Sequence, residues 1–403
     1  MGYPSRRGVL SGVLLLTAAA VGGAGYRGWE RGALGDLSDG LAFRPWQDWW
    51  AEAYHGPLAL VAAAVLAASP HNSQPWRFRV ESDRVQVRAD LSRALGPIDP
   101  FRRELHMGLG CAIENLMVAA RSHGYDPILS ILPDPVTEPN LVAQVTLGSP
   151  VTGTPGGKAS TDPHLAAIGN RHTHRGAYEP GRLVPQAVRE ALADCVDDDQ
   201  TWLETFPADS DRGRDFAAGT IAATEQIVAD NGMRQASQVW FRQSRADVDT
   251  HRDGISVMTS GESGLNIRLA MALPDFNETQ LGRYWIDATR DVHCATAPLF
   301  GLIGVRFPRD RSNLLSAGRL WQRLHLEATA RGVAMQPLNQ MMEMVDRERQ
   351  FSRPPDAAQR LAAVTGDPGW TTVFAFRAGF AAAAARPSPR RGVTIVTEQI
   401  GVG

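Results

Sequence analysis

The sequence predicts an α+β fold, in which short strands alternate with long apolar helices. Strands are indicated where apolar residues alternate with a period of two, as in Trp76–Val80. Long apolar helices are indicated at 103–123 and 318–331, and Gly124 and Gly332 end them. Leucine, a valine or leucine, and alanine coincide before these two glycines. Helices rich in Leu and Ala that end in glycine are common, so this pattern alone leaves an internal repeat and chance equally open.

The remaining elements are expected in the following order along the chain. The first half should contain a short buried helix at 58–67, a hairpin of 76–80 and 84–88, and strands at 128–132 and 141–147. The second half should contain helices at 163–170, 185–195 and 211–230 and strands at 371–377 and 393–396. The stretch 231–297 is less regular, which favours an insertion. A segment rich in Gly, Pro and Thr at 149–159 predicts the boundary between the halves, 45–155 and 160–403.

Composition excludes several kinds of function. The chain of 403 residues has a formal net charge of -2, so no overall basic field favours nucleic acid as a partner. Lys158 is the only lysine, and it lies in a loop-like run without a preceding strand, which argues against a P-loop or a Schiff base. Cys111, Cys195 and Cys294 are far apart, so they form neither a disulfide framework nor a CxxC zinc pair.

The first thirty residues are predicted to be a targeting segment. Ser5-Arg6-Arg7-Gly8 precedes an apolar run rich in Gly and Ala that extends to about position 25, and this resembles a twin-arginine export signal. An uncleaved membrane anchor is the alternative for residues 1–30. We therefore expect the export machinery as a partner and an exported or membrane-anchored protein, with a cytoplasmic one as the alternative. Twin-arginine export carries folded proteins, which suits a chain that acquires a cofactor before export.

The most distinctive segment is the loop 68–78, which joins a predicted helix to a predicted strand. Ser69, Pro70, Asn72 and Gln74 give it stiffness and paired hydrogen-bond donors and acceptors. Such a loop suits the edge of a planar heterocycle. A plain connection whose Asn and Gln satisfy nearby backbone groups is an equally good interpretation.

Two arginine-containing segments are candidates for anion binding. Arg171 and Arg175 are four residues apart with Thr173 between them, which suits a phosphate clamp, although a solvated basic turn fits equally well. His172 and His174 form an HxH pair, but no third ligand stands beside them, so no metal is expected. The other arginine-containing segment, at 388–391, contains Ser388 and Arg390 and by itself is typical of a basic tail.

Taken together, these segments resemble the nitroreductase superfamily of FMN-dependent flavoproteins. SPHNSQPWRF looks like the flavin loop of that family, RHTHR like its phosphate motif and SPRR like its C-terminal phosphate-binding element. Family members carry the arginine motif first, and two subunits of a homodimer share each flavin. The reversed order here implies two fused halves, one complete FMN site between them and a monomer with an internal pseudo-dimer. Together with the export signal, this pattern resembles the Acg-like branch of the family.

The resemblance implies a role for each candidate residue. Arg171 and Thr173 would bind the FMN phosphate with Arg390 and Ser388, and Arg175 would reach the pyrimidine side of the flavin. The first half would border the ring through Ser69, Pro70 and Asn72. The supporting residues would be Gln74 and Trp76, which hold the loop, and Gln336, Pro337 and Leu338, which line the ring face.

The function implied by the resemblance is an FMN-dependent oxidoreductase that takes electrons from NAD(P)H and passes them to a nitroaromatic, a quinone or a similar acceptor. The cofactor carries this chemistry, so no catalytic side chain is required. No GxGxxG fingerprint follows a strand, which argues against a dedicated dinucleotide domain. The alternatives are a flavin-binding or sequestering protein without turnover, covered by a lid at 231–297, and an exported structural domain without a cofactor.

Overall fold

The computed structural model of the chain describes residue 33 and residues 35–148 and 162–399. The predicted targeting segment at 1–30 and the predicted boundary at 149–159 lie outside the described residues, as does Lys158. Within the described ranges, no helix is both long and apolar enough to cross a bilayer. The architecture is α+β, with two main sheets and helices packed on them, which confirms the predicted class.

The strands and helices have the following bounds. The strands are β1 (Trp76–Val80), β2 (Arg84–Ala89), β3 (Pro127–Ile131), β4 (Leu141–Leu147), β5 (Thr201–Pro207), β6 (Phe241–Arg242), β7 (Ile255–Ser256), β8 (Leu299–Val305), β9 (Ala334–Pro337), β10 (Thr371–Gly379) and β11 (Thr397–Gln399). The helices are α1 (Arg44–Trp50), α2 (Pro57–Ala64), α3 (Arg103–Ser122), α4 (Pro163–Asn170), α5 (Gln186–Ala193), α6 (Asp211–Ala229), α7 (Asn231–Gln238), α8 (Arg245–His251), α9 (Gly264–Ala272), α10 (Glu278–Ala288), α11 (Arg311–Ala330), α12 (Gln340–Gln350), α13 (Asp356–Thr365) and α14 (Val393–Val396).

The first sheet has the strand order β11-β1-β2-β4-β3. The hairpin of β1 and β2 forms as predicted, with Trp76 opposite Ala89 and Val80 opposite Val85. The edge strand β11 pairs with β1 in parallel, and Phe78 lies opposite Thr397. The last described strand of the chain therefore belongs to the sheet of the first half, and the segment just before it is brought to the loop that follows α2.

The second sheet has the order β5-β8-β10-β9 and is antiparallel throughout. Its central strand β8 is buried along its whole length. Because a fully buried strand lacks the period-two alternation of a half-buried one, sequence patterning did not identify it. Within β8, a Cβ added to Gly301 would lie 2.1 Å from the ring of Phe376, so this position accepts only glycine without rearrangement.

Helices α3 and α11 connect the two halves. Each packs on the sheet of its own half, α3 on the first and α11 on the second, and the two helices pack on each other. An aspartate accepts hydrogen bonds from the first turn of each helix; Asp310 is the N-cap of α11, and Asp99 lies three residues before the N-cap Arg102 of α3. Asp99 accepts hydrogen bonds from the backbone of Glu104 and Leu105, and Asp310 accepts them from the first turn of α11. A single apolar core runs from the first sheet through both helices to the second.

Three predicted elements differ from the structure. The predicted strand 393–396 is the short helix α14, in which Thr397 Oγ1 donates to Val393 O at 2.8 Å, and the strand starts only afterwards. The helix predicted to start at 318 begins seven residues earlier, at Arg311, because Asp310 caps it there. The predicted insertion 231–297 is more regular than expected, since it contains four helices and the pair of short parallel strands β6 and β7.

Candidate functional site

A cavity of about 250 Å³ lies where the two halves meet. Its walls come from the turn Pro70–Asn72, the start of α3, the strand β9, and the helices α7 and α10. Six of the residues singled out in the sequence line it: Ser69, Pro70, Thr173, Arg175, Gln336 and Pro337. The structure thus brings the loop of the first half and the arginine segment of the second half to one cavity.

The loop after α2 is held in an unusual backbone conformation. His71, Asn72 and Gln74 have positive φ angles of 48°, 54° and 52°, which a non-glycine residue adopts only when its surroundings enforce it. Gln74 supplies part of that enforcement. It is fully buried, its Nε2 donates to Arg252 O at 2.8 Å, and its Oε1 accepts from the backbone N–H of Arg391 at 2.7 Å. These bonds match the supporting role that the resemblance implies for Gln74.

Asn72 faces the C-terminal segment and does not line the cavity. Its Nδ2 donates to Pro389 O at 2.9 Å and to Gly254 O at 3.1 Å. Its Oδ1 accepts from Arg390 Nη1 at 2.5 Å. The same Nη1 lies 2.6 Å from Ser388 Oγ. Asn72, Ser388 and Arg390 therefore form one buried network that joins the loop of the first half to the end of the chain.

Arg171 and Arg390 converge on the carbonyl groups that follow α2. Arg171 Nη2 donates to Leu66 O at 2.9 Å, and Arg390 Nη2 donates to Ala67 O at 3.2 Å and to Leu66 O at 3.5 Å. The side chains are only 1% and 2% exposed. Both lie behind the wall of the cavity, in contrast to Arg175, which lines it.

We name Arg171, Arg175 and Arg390 the arginine cluster. In the described part of the chain, none of the three has a carboxylate within 4.0 Å. Burial lowers the pKa of Arg171 and of Arg175 to about 10, and burial together with the other two arginines lowers the pKa of Arg390 well below its usual value. Because a guanidinium keeps its charge in proteins, the three side chains are treated as cations at neutral pH. A group of buried cations without a counter-ion is costly unless an anion joins it.

Unpaired donors mark the same place. Nε of Arg171 and Nε of Arg390 are buried without a hydrogen-bond partner in the described structure. Nδ1 of His172 also has no partner there, and it donates only in the tautomer that carries its proton. Burial, reinforced by the charges of Arg171 and Arg390, lowers the pKa of His172 to about 3, so its ring is neutral. Unused donors and uncompensated charge are what an anionic group such as a phosphate would satisfy. The residues present fit the phosphate of a bound nucleotide-like cofactor.

Thr173 and His174 attach the arginine segment to the second sheet. Thr173 forms a parallel bridge with Met335, and His174 N–H donates to Met335 O at 3.1 Å. The two histidines are engaged separately. The ring of His172 packs edge-on against Trp46 at 4.6 Å, and Nε2 of His174 lies 2.7 Å from Ala383 O. Within residues 35–148 and 162–399, no group of three or more His, Cys, Asp or Glu side chains has an arrangement that could hold a metal ion.

Arg377 is a site residue that sequence reasoning missed. It is fully buried in β10, where its Nη2 donates to Gly176 O at 2.7 Å and to His174 O at 3.2 Å. Its Nε donates to Gln336 Oε1 at 2.7 Å, and its guanidinium lies 4.1 Å from the centre of the Tyr178 ring. The sequence does contain a signal that could have identified Arg377, namely an arginine within an otherwise apolar strand. A buried charge is tolerated there only when it is hydrogen-bonded.

The wall opposite β9 comes from the predicted insertion. Trp240, Tyr284 and Trp285 line the cavity there, and Ser237 Oγ lies 2.9 Å from His71 Nε2. Burial and the nearby charge of Arg175 lower the pKa of His71 to about 4. Of the remaining residues named from the sequence, Trp76 is fully buried in β1 and Leu338 is buried beside the cavity without lining it.

Comparisons with known proteins give partial sequence matches. No model of a known protein family matches the chain. A Mycobacterium tuberculosis protein named "Putative NAD(P)H nitroreductase Rv3131" is 33% identical over 120 residues, which cover 30% of this chain and 33% of the relative. "Uncharacterized protein Rv3127" of the same organism is 24% identical over 345 residues, or 84% of this chain and 91% of the relative. The match to Rv3131 thus spans about a third of that relative's length.

Solved structures give weaker likenesses. The FMN-dependent nitroreductase NfnB from Mycobacterium smegmatis, in complex with NADPH, has a TM-score of 0.39 and 17% identity over 59% of this chain and 98% of that chain. A protein from Anabaena variabilis named "putative nitroreductase" has a TM-score of 0.40 and 11% identity over 74% of this chain and 69% of that chain. Both TM-scores are low. The likeness to a relative named as a nitroreductase therefore rests on the 120-residue sequence match.

Proposed function

We propose that the protein is an FMN-dependent oxidoreductase that takes electrons from NAD(P)H and passes them to a small acceptor such as a nitroaromatic or a quinone. The observation that carries the proposal is the arginine cluster, which is buried and uncompensated beside a cavity built from both halves. The name of one M. tuberculosis relative, "Putative NAD(P)H nitroreductase Rv3131", supports the same activity.

In this proposal, Arg171 and Arg390 hold the FMN phosphate, with Thr173 and Ser388 as neutral partners, and Arg175 stands at the pyrimidine side of the flavin. Fixed guanidinium forks suit a phosphate because each presents several N–H donors in one plane. FMN, when bound, supplies the acceptance of hydride and the release of electrons. The protein binds and orients the cofactor and excludes water from it.

Ser69 and Pro70 border the ring in this assignment, and Asn72 acts through Arg390. The hydrogen bond from Arg390 Nη1 to Asn72 Oδ1 fixes the direction of the guanidinium. Arg377 is a positioning residue, since it holds the backbone of the arginine segment and Gln336 at the same time.

A flavin-binding protein without turnover is the second candidate, because Trp240 and Trp285 from the insertion cover one side of the cavity. Reaction with an electron donor distinguishes an enzyme from a flavin-binding protein without turnover. An enzyme bleaches its flavin band when NADH or NADPH is added without oxygen and recovers it when a quinone follows. A flavin store shows the band and no bleaching.

The test begins with a visible spectrum of the purified full chain, followed by release of the cofactor and its identification. We expect flavin bands and one FMN per chain. Arg171→Ala should lose much of the flavin, and Arg214→Ala, an exposed arginine far from the cavity lining, should keep it. A colourless protein that takes up no added FMN would overturn the proposal.

We also propose that the protein is a monomer and that the twin-arginine system exports it. The continuous apolar core between the two halves supports the first part, because it takes the place of a subunit interface. The Ser5-Arg6-Arg7-Gly8 segment supports the second part. Loss of export after replacement of both arginines by lysine, with unchanged expression, is the expected result.

A further inference from the structure

A group of buried acids forms one wall of the cavity. Glu104 at the start of α3 and Glu343 in α12 both line the cavity, and each is 5% exposed. Behind them, Arg103 Nε donates to Asp346 Oδ2 at 2.8 Å, and Arg103 Nη2 lies 3.2 Å from Glu104 Oε1. Asp99 is buried beside them and accepts hydrogen bonds from the backbone of Glu104 and Leu105. Four carboxyl groups thus share a single arginine.

Hydrogen-bond acceptors at this wall exceed the donors. The carboxyl groups of Glu104 and Glu343 lie within hydrogen-bonding distance of each other and share a proton. Apart from that contact, Oε2 of Glu343 has no partner in the described structure, and neither has Oε1 of Gln340. Gln340 is 5% exposed and also lines the cavity. We name Glu104, Gln340 and Glu343 the acceptor corner.

We propose that the acceptor corner binds a cationic nitrogen group of a ligand, an ammonium or amidinium carried by an aromatic body. Such a group supplies several N–H donors and a positive charge, which are the two things the corner lacks. The adjoining cavity wall is apolar, with Met107, Trp321 and Phe374, and suits an aromatic ring. The inference rests on the proposed function only in naming this ligand as the electron acceptor. The binding step itself requires no flavin.

The arginines near the acceptor corner already have other partners, so the ligand has to supply the cation. Arg103 is engaged by Asp346, Glu104 and Val373 O. Arg234 at the cavity wall donates to Val228 O and Asn231 Oδ1. The other ionisable groups that line the cavity are His71, Cys111, Arg175, Tyr284 and His293. Burial keeps both histidines neutral at pH 7, since it lowers the pKa of each.

The shared proton makes cation binding depend on pH. Burial raises the pKa of Glu104 to about 7, against the opposing effect of Arg103, and burial and Glu104 raise the pKa of Glu343 well above its usual value. A cation prefers the ionised pair, so its affinity should increase as the pH rises through about 7. Below that pH, binding should release a proton to solvent.

The experiment is calorimetric titration of the full chain, as purified, with benzamidine and with benzamide, which has the same ring and a neutral amide. We expect benzamidine to bind at least tenfold more tightly at pH 8. At pH 6 we expect a binding heat that varies with the ionisation heat of the buffer, since a proton is released. Glu104→Gln, which removes the carboxyl group that ionises at about pH 7, should abolish the preference for benzamidine. Asp83→Asn, at an exposed acid outside the cavity lining, should keep it.

Equal affinity for the two compounds would overturn the proposal, as would an unchanged preference in a folded Glu104→Gln variant. If that variant does not fold, the pH dependence of the preference in the wild-type chain still tests the proposal. A preference for benzamidine that is the same at pH 6 and pH 8 overturns the proposal. The flavin spectrum is read in the same samples, so a failure to bind benzamidine is distinguished from a failure to bind FMN.

Discussion

Gly110 in α3 and Gly318 in α11 meet the partner helix in equivalent ways. A Cβ added to Gly110 would lie 2.2 Å from Leu315 O, and one added to Gly318 would lie 2.0 Å from Met107 O. Gly110 and Gly318 are 208 positions apart, and so are Met107 and Leu315. The first and last residues of the two helices keep the same spacing. The two halves therefore face each other across a local twofold relation, with each glycine against the other helix's backbone.

Replacement of either glycine should destabilise the chain. Because the neighbouring atom is a backbone carbonyl, Gly110→Ala or Gly318→Ala forces the two helices apart, at a cost of about 1–3 kcal/mol that outweighs the gain in helix propensity. Chemical denaturation should show the loss in the free energy of unfolding. Gly392→Ala is the control, since its Cβ meets no atom within 4 Å. An equal effect of all three substitutions would contradict the close crossing.

The phosphate assignment predicts weaker FMN binding when an arginine of the cluster is removed. Arg171→Ala and Arg390→Ala should each cost about 1.5–3 kcal/mol, roughly 10- to 150-fold in affinity, since each removes a charge-assisted fork. Fluorescence titration of the flavin-free protein measures the change. Arg214→Ala, an exposed arginine, should bind FMN normally. Unchanged occupancy in both cluster variants would exclude this pocket for the phosphate.

Arg377 should matter for both folding and flavin binding. In Arg377→Met the carbonyl groups of His174 and Gly176 lose their donor inside the core, which should cost about 2–3 kcal/mol of stability. Arg377→Lys should recover little, because a single ammonium cannot replace a planar fork with several partners. Denaturant unfolding and FMN titration, run on the same samples, should show parallel losses. A stable Arg377→Met variant with full FMN affinity would contradict the positioning role.

The buried acid pair predicts a particular dependence of stability on pH. The pKa values of Glu104 and Glu343 are raised in the folded state by burial. Their contribution to stability is therefore fully present below the unfolded pKa of about 4.5 and is lost as the pH rises through about 7. In Glu343→Gln the decline of the free energy of unfolding between pH 5 and pH 8 should be smaller than in the wild type. A steeper decline in the variant would contradict the raised pKa values.

The sequence predicted individual helices and strands and the approach of the loop 69–74 and the arginine segment to each other. It did not predict the features that depend on contacts between distant residues. The ends of α3 and α11 followed from Gly124 and Gly332, which take positive φ angles of 81° and 71°. The helical conformation of residues 393–396 could not be predicted, because a run of β-branched residues favours a strand when its tertiary contacts are unknown. Glu104 in an apolar helix gave no signal, since its pairing partner Glu343 lies 239 positions away.

The fused arrangement predicts that neither half holds the cofactor alone. Residues 45–155 lack the arginine cluster, and residues 160–403 lack the loop that orients Arg390 through Asn72. The first fragment also loses β11, which pairs with β1. Each fragment exposes the apolar face of α3 or α11, so aggregation of the separate fragments is expected. Co-expression should restore a flavin-binding complex, because only the segment at 149–159 is cut.

Stoichiometry provides the sharper measurement. One complete set of site residues forms in the described chain, since the loop 69–74 comes from the first half and the arginine cluster from the second. We therefore expect one FMN per chain and a monomer in sedimentation, where a homodimer with two shared sites would give two FMN per dimer. The intact chain is the reference, and the co-expressed fragments should bind the same single equivalent. Full FMN binding by residues 160–403 alone, or two FMN per intact chain, would show that the site is not divided between the halves.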